Sequence, residues 1–151
     1  MKRLLWAITL ILITGAAHAQ QPLYSAKFVC GKTDLTNAKT FNFAPGSYYT
    51  AINVHNPSME LKAGIRKRFS VALPGEKPGK VSDFFSMTLL PANTMQIDCA
   101  NIWGHLGMLS GTFVEGVVEI RSTIEVDVIG VYTAAGTQGV ATMHMERVPK
   151  R

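Results

Sequence analysis

Beyond its first nineteen residues, most of this chain alternates apolar and polar positions with a period of two. Tyr24, Ala26, Phe28 and Cys30 fall on one side of their segment. That spacing puts successive side chains on opposite faces of a half-buried strand. A second strand is predicted over 47–56. Tyr48, Ile52 and Val54 share one face, and Tyr49, Ala51, Asn53 and His55 share the other. Asn56-Pro57 ends it, because proline removes a ladder donor and asparagine favours the turn. The cleanest alternation runs from Met59 to Leu73. Met59, Leu61, Ala63, Ile65, Phe69, Val71 and Leu73 lie on one side, with Glu60, Lys62, Arg66, Arg68 and Ser70 on the other. This reads as one long strand, or as two strands broken by a bulge near Gly64. Lys67 falls on the apolar side. Either its stem carries the ammonium out to water or the strand bulges there.

Turn chemistry punctuates these runs. Pro45-Gly46 closes a polar stretch, and Pro74 to Lys80 reads as a loop by composition. Val81 to Pro91 is ambiguous between strand and turn. Thr94 to Cys99 alternates again, with Met95, Ile97 and Cys99 on one face. Ala100 to Gly107 reads as a short helical turn leading into a loop. Phe113 to Ser122 and Glu125 to Thr133 are β-branched runs joined at Thr123-Ile124, which predicts a hairpin. Val140 to Val148 is the last strand. About seven strands with no long amphipathic helix give an all-β class. The expected architecture is an antiparallel, immunoglobulin-like sandwich, with a β-barrel as the alternative.

The first nineteen residues follow a different pattern. Met1-Lys2-Arg3 is a positive start, Leu4 to Gly15 is uncharged and apolar, and Ala17-His18-Ala19 is a small-x-small cleavage site. This predicts a signal peptide over 1–19, removed after Ala19, and one domain over 20–151. The apolar run is about a dozen residues, short of the roughly 20 that cross a bilayer. No membrane anchor is expected after cleavage. The mature charge falls from +5 to +3 as Lys2 and Arg3 leave. Such a mild balance suits a solvated strand face and a basic tail. The basic residues cluster at Lys62, Arg66, Lys67 and Arg68, and again at Arg147, Lys150 and Arg151, where the functional alternative is contact with an acidic surface such as lipopolysaccharide, anionic lipid or nucleic acid. No aromatics interleave with them in the sequence, so nucleic acid is not an expected partner.

Cys30 and Cys99 make an even pair, which an exported domain uses as a disulfide. There is no CxxC redox motif. Among polar residues, Asn53 and His55 point the same way at a strand end and can present a pair to a ligand. Thr142-Met-His-Met-Glu146 offers thioethers and an imidazole, which suit Cu(I). Strand geometry sends Met143 and Met145 to one side and His144 to the other, and a core role for the methionines is simpler. His105 adds a further imidazole. No Gly-x-Ser-x-Gly elbow occurs, and the phosphate-loop and dinucleotide patterns do not occur either. Glu125 with Asp127, and Glu115 with Glu119, share strand faces. They read as the wet side of a sheet more readily than as acid/base pairs.

The motifs Tyr24-Ser-Ala-Lys-Phe-Val-Cys-Gly31, Pro45-Gly-Ser-Tyr-Tyr-Thr-Ala-Ile-Asn-Val-His-Asn-Pro57, Ile97-Asp-Cys99 and Val126-Asp-Val-Ile-Gly-Val-Tyr-Thr133 occur together in this chain. From about Tyr24 to Val148 it resembles a family of small exported bacterial proteins that carry them. The resemblance implies a β-sandwich and brings no catalytic residues. More distantly, the C-terminal half is similar to the sandwich of the sensory-rhodopsin transducer type, at the level of fold.

These readings converge on a non-enzymatic binding or interaction module, periplasmic or secreted, whose partner belongs to the cell envelope or the exterior. Asn53, His55, Arg66 and Arg68 are the candidate binding residues. No cofactor is implied. The alternative is a periplasmic small-ligand or copper-binding protein using His144, Met143 and Met145.

Overall fold

A computed structural model describes residues 21–34, 43–136 and 139–151. The expected signal peptide over 1–19 lies outside the described residues. The described chain is mostly antiparallel β-structure with one short helix. Its elements are β1 (Leu23–Thr33), β2 (Gly46–His55), β3 (Ala63–Leu73), β4 (Lys77–Val81), β5 (Phe85–Leu89), β6 (Thr94–Asp98), α1 (Cys99–Leu106), β7 (Val114–Ser122), β8 (Asp127–Gly136) and β9 (Gly139–Arg147). Nine strands thus stand among the described residues, against about seven expected. The additional two, β4 and β5, come from the stretch that reads as loop and ambiguous segment. Pro78 in β4 suits an edge position, where its missing N–H costs no ladder bond.

The main pairing order is β4-β3-β7-β1-β2-β8-β9. β5 shares with β4 the outer edge of β3, and β6 pairs with β2 beside the end of β1. The order turns on β1. Leu23 to Cys30 pair with β7, whereas Gly31 to Thr33 pair with β2. The burial phase slips at the same point. Tyr24, Ala26, Phe28 and Cys30 are buried, then Gly31 and Thr33. Gly31 makes the slip at φ 97°, in the left-handed region, and a Cβ there would run into the Thr112 carbonyl. Only glycine fits such a corner.

Two ties hold this corner. Cys30 is bonded to Cys99, the first residue of α1, with Cα atoms 5.6 Å apart. Thr50 on β2 lies beneath the bond. Its hydroxyl accepts from Val29 N at 2.9 Å and donates to Val29 O at 2.9 Å, and its own amide donates to Cys99 Sγ at 3.2 Å. The hydroxyl thus stands in for a strand at the edge of β1 that β7 leaves open. α1 itself starts in a capping box. Asp98 accepts from Asn101 N, and Asn101 Oδ1 accepts from Asp98 N. Its last turn is met by Lys80 Nζ, which donates to Leu106 O at 2.6 Å.

One core joins all of this. Phe28, Ile52, Val54, Ile65, Phe69, Ile97, Ile102, Val118 and Ile120 are sealed from solvent. The alternation on β3 holds only from Ala63 to Phe69. Met59 and Leu61, which fall on its apolar side, are exposed. The buried Asn56 is the reason: its amide donates to the carbonyls of Leu61, Leu89 and Leu90 and holds 56–62 as a loop. The predicted hairpin at Thr123-Ile124 does not form. β7 is flanked by β1 and β3, and β8 by β2 and β9, so both edges of each strand are taken. β8 instead makes its hairpin with β9.

Two variants test the corner by equilibrium denaturation. Replacing Cys30 and Cys99 together by alanine removes a bridge across 69 positions and should cost about 4 kcal/mol. Thr50→Val leaves the Val29 amide and carbonyl unpaired and should cost about 1–3 kcal/mol. Unchanged midpoints would show that the corner is held by something else.

Candidate functional site: an arginine face on β3 and β7

The outward side of β3 and β7 is built by the alternation that buries their other side. Lys67 and Phe69 point inward, so Arg66 and Arg68 point outward. On β7, Val118 and Ile120 point inward, so Glu119 and Arg121 point outward. Register then sets Arg66 directly opposite Arg121 and Arg68 directly opposite Glu119. Phe84 joins from the β4–β5 connection. Ser82 is fastened to Phe69 by two bonds, Ser82 N to Phe69 O at 2.9 Å and Phe69 N to Ser82 Oγ at 3.0 Å. The next residues divide, with Phe85 packed against the core and Phe84 turned outward. The Phe84 ring lies 4.6 Å from the Arg66 guanidinium, 4.7 Å from Arg68 and 5.1 Å from Arg121. Each distance is within cation–π range.

A single carboxylate serves two of these three cations. Glu119 accepts from Arg68 Nε and Nη2 at 3.1 and 2.7 Å, and from Arg121 Nε at 2.7 Å. Burial alone would raise the Glu119 carboxyl. The hydrogen bonds and charges of Arg68 and Arg121 outweigh it and hold the group below its usual range. Arg66 has no ion-pair partner among the described residues. Like charges directly opposite on a sheet are destabilising, so the Arg66–Arg121 pair is kept against the local rule.

The other candidate residues lie elsewhere. Asn53 and His55 sit on the outward side of β2. Asn53 Oδ1 accepts from Gln96 at 3.4 Å, and His55 Nδ1 lies 3.0 Å from Thr94 Oγ1, so each is bonded to the neighbouring β6. They do not join Arg66 and Arg68. Met143 and Met145 are exposed on the outward side of β9, not in the core. β9 is an edge strand, and no layer covers that face among the described residues. His144 points the other way and stacks on Tyr132, with ring centres 6.1 Å apart. His105 packs against Phe69 and Phe85. The histidines and methionines of the copper reading are therefore not brought together, and no group of three His, Cys, Asp or Glu side chains among the described residues is placed to hold a metal. The acidic residues read as possible pairs each meet a cation. Glu125 pairs with Lys150, Asp127 with Arg147, and Glu115 with Lys27.

A depression of about 350 Å³ runs between β1 and the β8–β9 hairpin. Tyr48, Tyr132, His144 and Glu146 line it. The Tyr132 hydroxyl donates to Glu146 at 2.8 Å, and burial and the nearby carboxylate both push the phenol up.

Phe84 and Arg121 are the residues that sequence reasoning missed. Arg121 occupies the outward phase of a β-branched run, so its side was readable but its neighbour was not. Phe84 lies sixteen positions beyond Arg68 in the chain, and only the fold interleaves an aromatic ring with the arginines.

Inside the same strand, Lys67 is the anomaly. The strand does not bulge there, since Lys67 stays in register with Ile120 and Phe85. The residue is only 9% exposed, yet its ammonium, which takes no hydrogen bond among the described residues, is not sealed from solvent, so the stem carries it toward water. Burial lowers its pKa, and burial together with the Lys67 charge lowers that of His105.

No protein-family model matches the chain, and no curated protein matches it. Among solved structures, the fold is similar to the crystal structure of Thermotoga maritima 1070. The two share 10% identity at a TM-score of 0.53, over 87% of this chain and 95% of that one. At that identity the likeness concerns the fold alone.

Lys67→Met, which keeps the stem and removes the partly desolvated charge, should stabilise the fold by about 1 kcal/mol in denaturant titrations. His105 has a folded pKa below the ordinary 6.5. The unfolded chain then takes up a proton first as pH falls through 6.5, so stability declines on acidification from that point. His105→Phe should flatten the decline. A slope equal to wild type would show that His105 is not its source.

Proposed function

We propose that this protein is an exported, non-enzymatic binding module of β-sandwich, immunoglobulin-like build that engages an acidic partner at the cell envelope through the outward face of β3 and β7. The observation that carries the reading is the set of three guanidinium groups around Phe84 with one carboxylate among them. Arginine is suited to this task. Its planar fork meets oxyanions in two-point contact, and its flat face rests on an aromatic ring without losing its charge. The sum of Arg66, Arg68, Arg121 and Glu119 leaves two positive charges on one face. The Cys30–Cys99 bond supports an oxidising compartment, as the expected signal peptide and the resemblance to small exported proteins do. The crossing at β1, with inward faces from both halves meeting in one core, supports the sandwich reading.

A small-ligand role has one observation in its favour, the depression lined by Tyr48, Tyr132, His144 and Glu146. Its polar ends are already engaged with each other through the Tyr132–Glu146 bond, so the arginine face is the stronger site.

The test is co-sedimentation with vesicles carrying an anionic lipid fraction, compared with neutral vesicles. Wild-type protein should bind the anionic ones, more weakly as salt rises. Arg66→Glu with Arg68→Glu should abolish binding while His55→Ala leaves it unchanged. Binding that survives the double charge reversal would overturn the reading.

A further inference from the structure

Beside Phe84, the arginine face opens into a depression of about 440 Å³. Gly64 on β3 stands at its end. Arg66 follows on the same strand, Ser86 and Thr88 stand opposite on β5, and Arg121 and Thr123 close the β7 side. We infer that this depression is a subsite for a phosphate monoester, a dianionic oxygen group at the end of a larger molecule. The inference rests on the arginine-face reading and names the chemistry that face would take.

Three observations support the assignment. Arg66 lines the depression, and no carboxylate among the described residues claims its guanidinium. Arg121 lies directly across the sheet from it and spends its Nε on Glu119, which leaves its terminal nitrogens outside that contact. Two like charges thus stand side by side along the depression, and an anion bound there offsets their repulsion. The hydroxyls of Ser86 and Thr88 form no hydrogen bond among the described residues, so they remain available as donors on the side opposite Arg121. Gly64 on β3 makes room for Thr123 at the end of the depression: its amide donates to Thr123 Oγ1 at 2.9 Å, and a Cβ there would come within 3.0 Å of the Thr123 methyl.

Charge selects the class of oxyanion. A carboxylate, a sulfate monoester or a phosphodiester carries one negative charge. A phosphate monoester carries about 1.5 to 2 at neutral pH, because its second pKa is near 6, and this matches the two positive charges left on the face. The volume is larger than a bare ion needs, so the group is expected as the terminus of a lipid headgroup or of a soluble phosphorylated molecule.

The experiment pairs titration calorimetry of the purified protein with vesicle binding. Ethyl phosphate should bind at one site and diethyl phosphate should not. Affinity for ethyl phosphate should rise as pH passes upward through about 6, following ionisation of the ligand. Arg66→Gln should weaken it about tenfold or more, and Thr88→Val severalfold, with both variants keeping the wild-type melting profile. Vesicles of phosphatidic acid and of phosphatidylglycerol, matched in surface charge, separate the sources. Preference for phosphatidic acid points to a lipid headgroup, and ethyl phosphate binding without that preference points to a soluble monoester. Either result supports the subsite. If neither ethyl phosphate nor phosphatidic acid is preferred over its diester while anionic vesicles still bind, the monoester subsite is overturned and the arginine face stands. If the vesicles do not bind either, the arginine-face reading fails as well.

Discussion

The corner at Cys30–Gly31 is the constraint on which the rest of the fold depends. One strand belongs to two halves of the structure, and it changes partner and burial phase within a single residue step. A backbone in the left-handed region, a disulfide and a threonine hydroxyl all act on that step. Each answers a different cost of the crossing. Gly31 removes the steric cost, Thr50 pairs the Val29 amide and carbonyl on the edge of β1 that β7 leaves open, and the Cys30–Cys99 bond limits the freedom of the unfolded chain.

Packing runs outward from this corner to the arginine face. Cys99 begins α1, and α1 lays His105 against Phe69 and Phe85. Phe69 also holds Ser82, whose position sends Phe85 inward and Phe84 outward. The ring that gathers Arg66, Arg68 and Arg121 is therefore set by contacts that begin in the core. An exposed cluster of three long, charged side chains would ordinarily lose much of its order to side-chain entropy. Here the strand register, one carboxylate and a fixed ring restrain it. Two local rules are broken in the same strand, by the like-charged pair Arg66–Arg121 and by the buried Lys67. Such departures concentrate where a structure is shaped for function as well as stability.

Strands whose inward side is continuously apolar were legible in the sequence. β1, β2 and β6 follow from period-two alternation alone, and the disulfide follows from two cysteines on inward faces; β9 was placed as the last strand, but its methionines, read as core, face outward. What alternation could not supply was pairing. Thr123-Ile124 looks like a hairpin because local sequence holds no record of β1 and β3 flanking β7. Met59 and Leu61 continue the period of β3 but are exposed, because a buried Asn56 amide captures the carbonyls around them. β4 was hidden by its proline and glycine, which an edge strand tolerates. The site was half legible. Arg66 and Arg68 stand out as the charged side of an alternating strand, whereas Arg121 and Phe84 join them only through cross-strand register and a turn anchored on Ser82. Asn53 and His55 looked equally promising in sequence, and the fold bonds them to β6 instead.

The outward face of β3, β5 and β7 is the proposed binding surface, and the remainder is its scaffold. The most direct test is an amide chemical-shift titration of the protein with ethyl phosphate. Shifts that saturate together at Gly64, Arg66, Ser86, Thr88 and Arg121, with Tyr48, Tyr132 and His144 unmoved, are the predicted result. Shifts centred on the Tyr48, Tyr132 and His144 depression, with the arginine face silent, would contradict it.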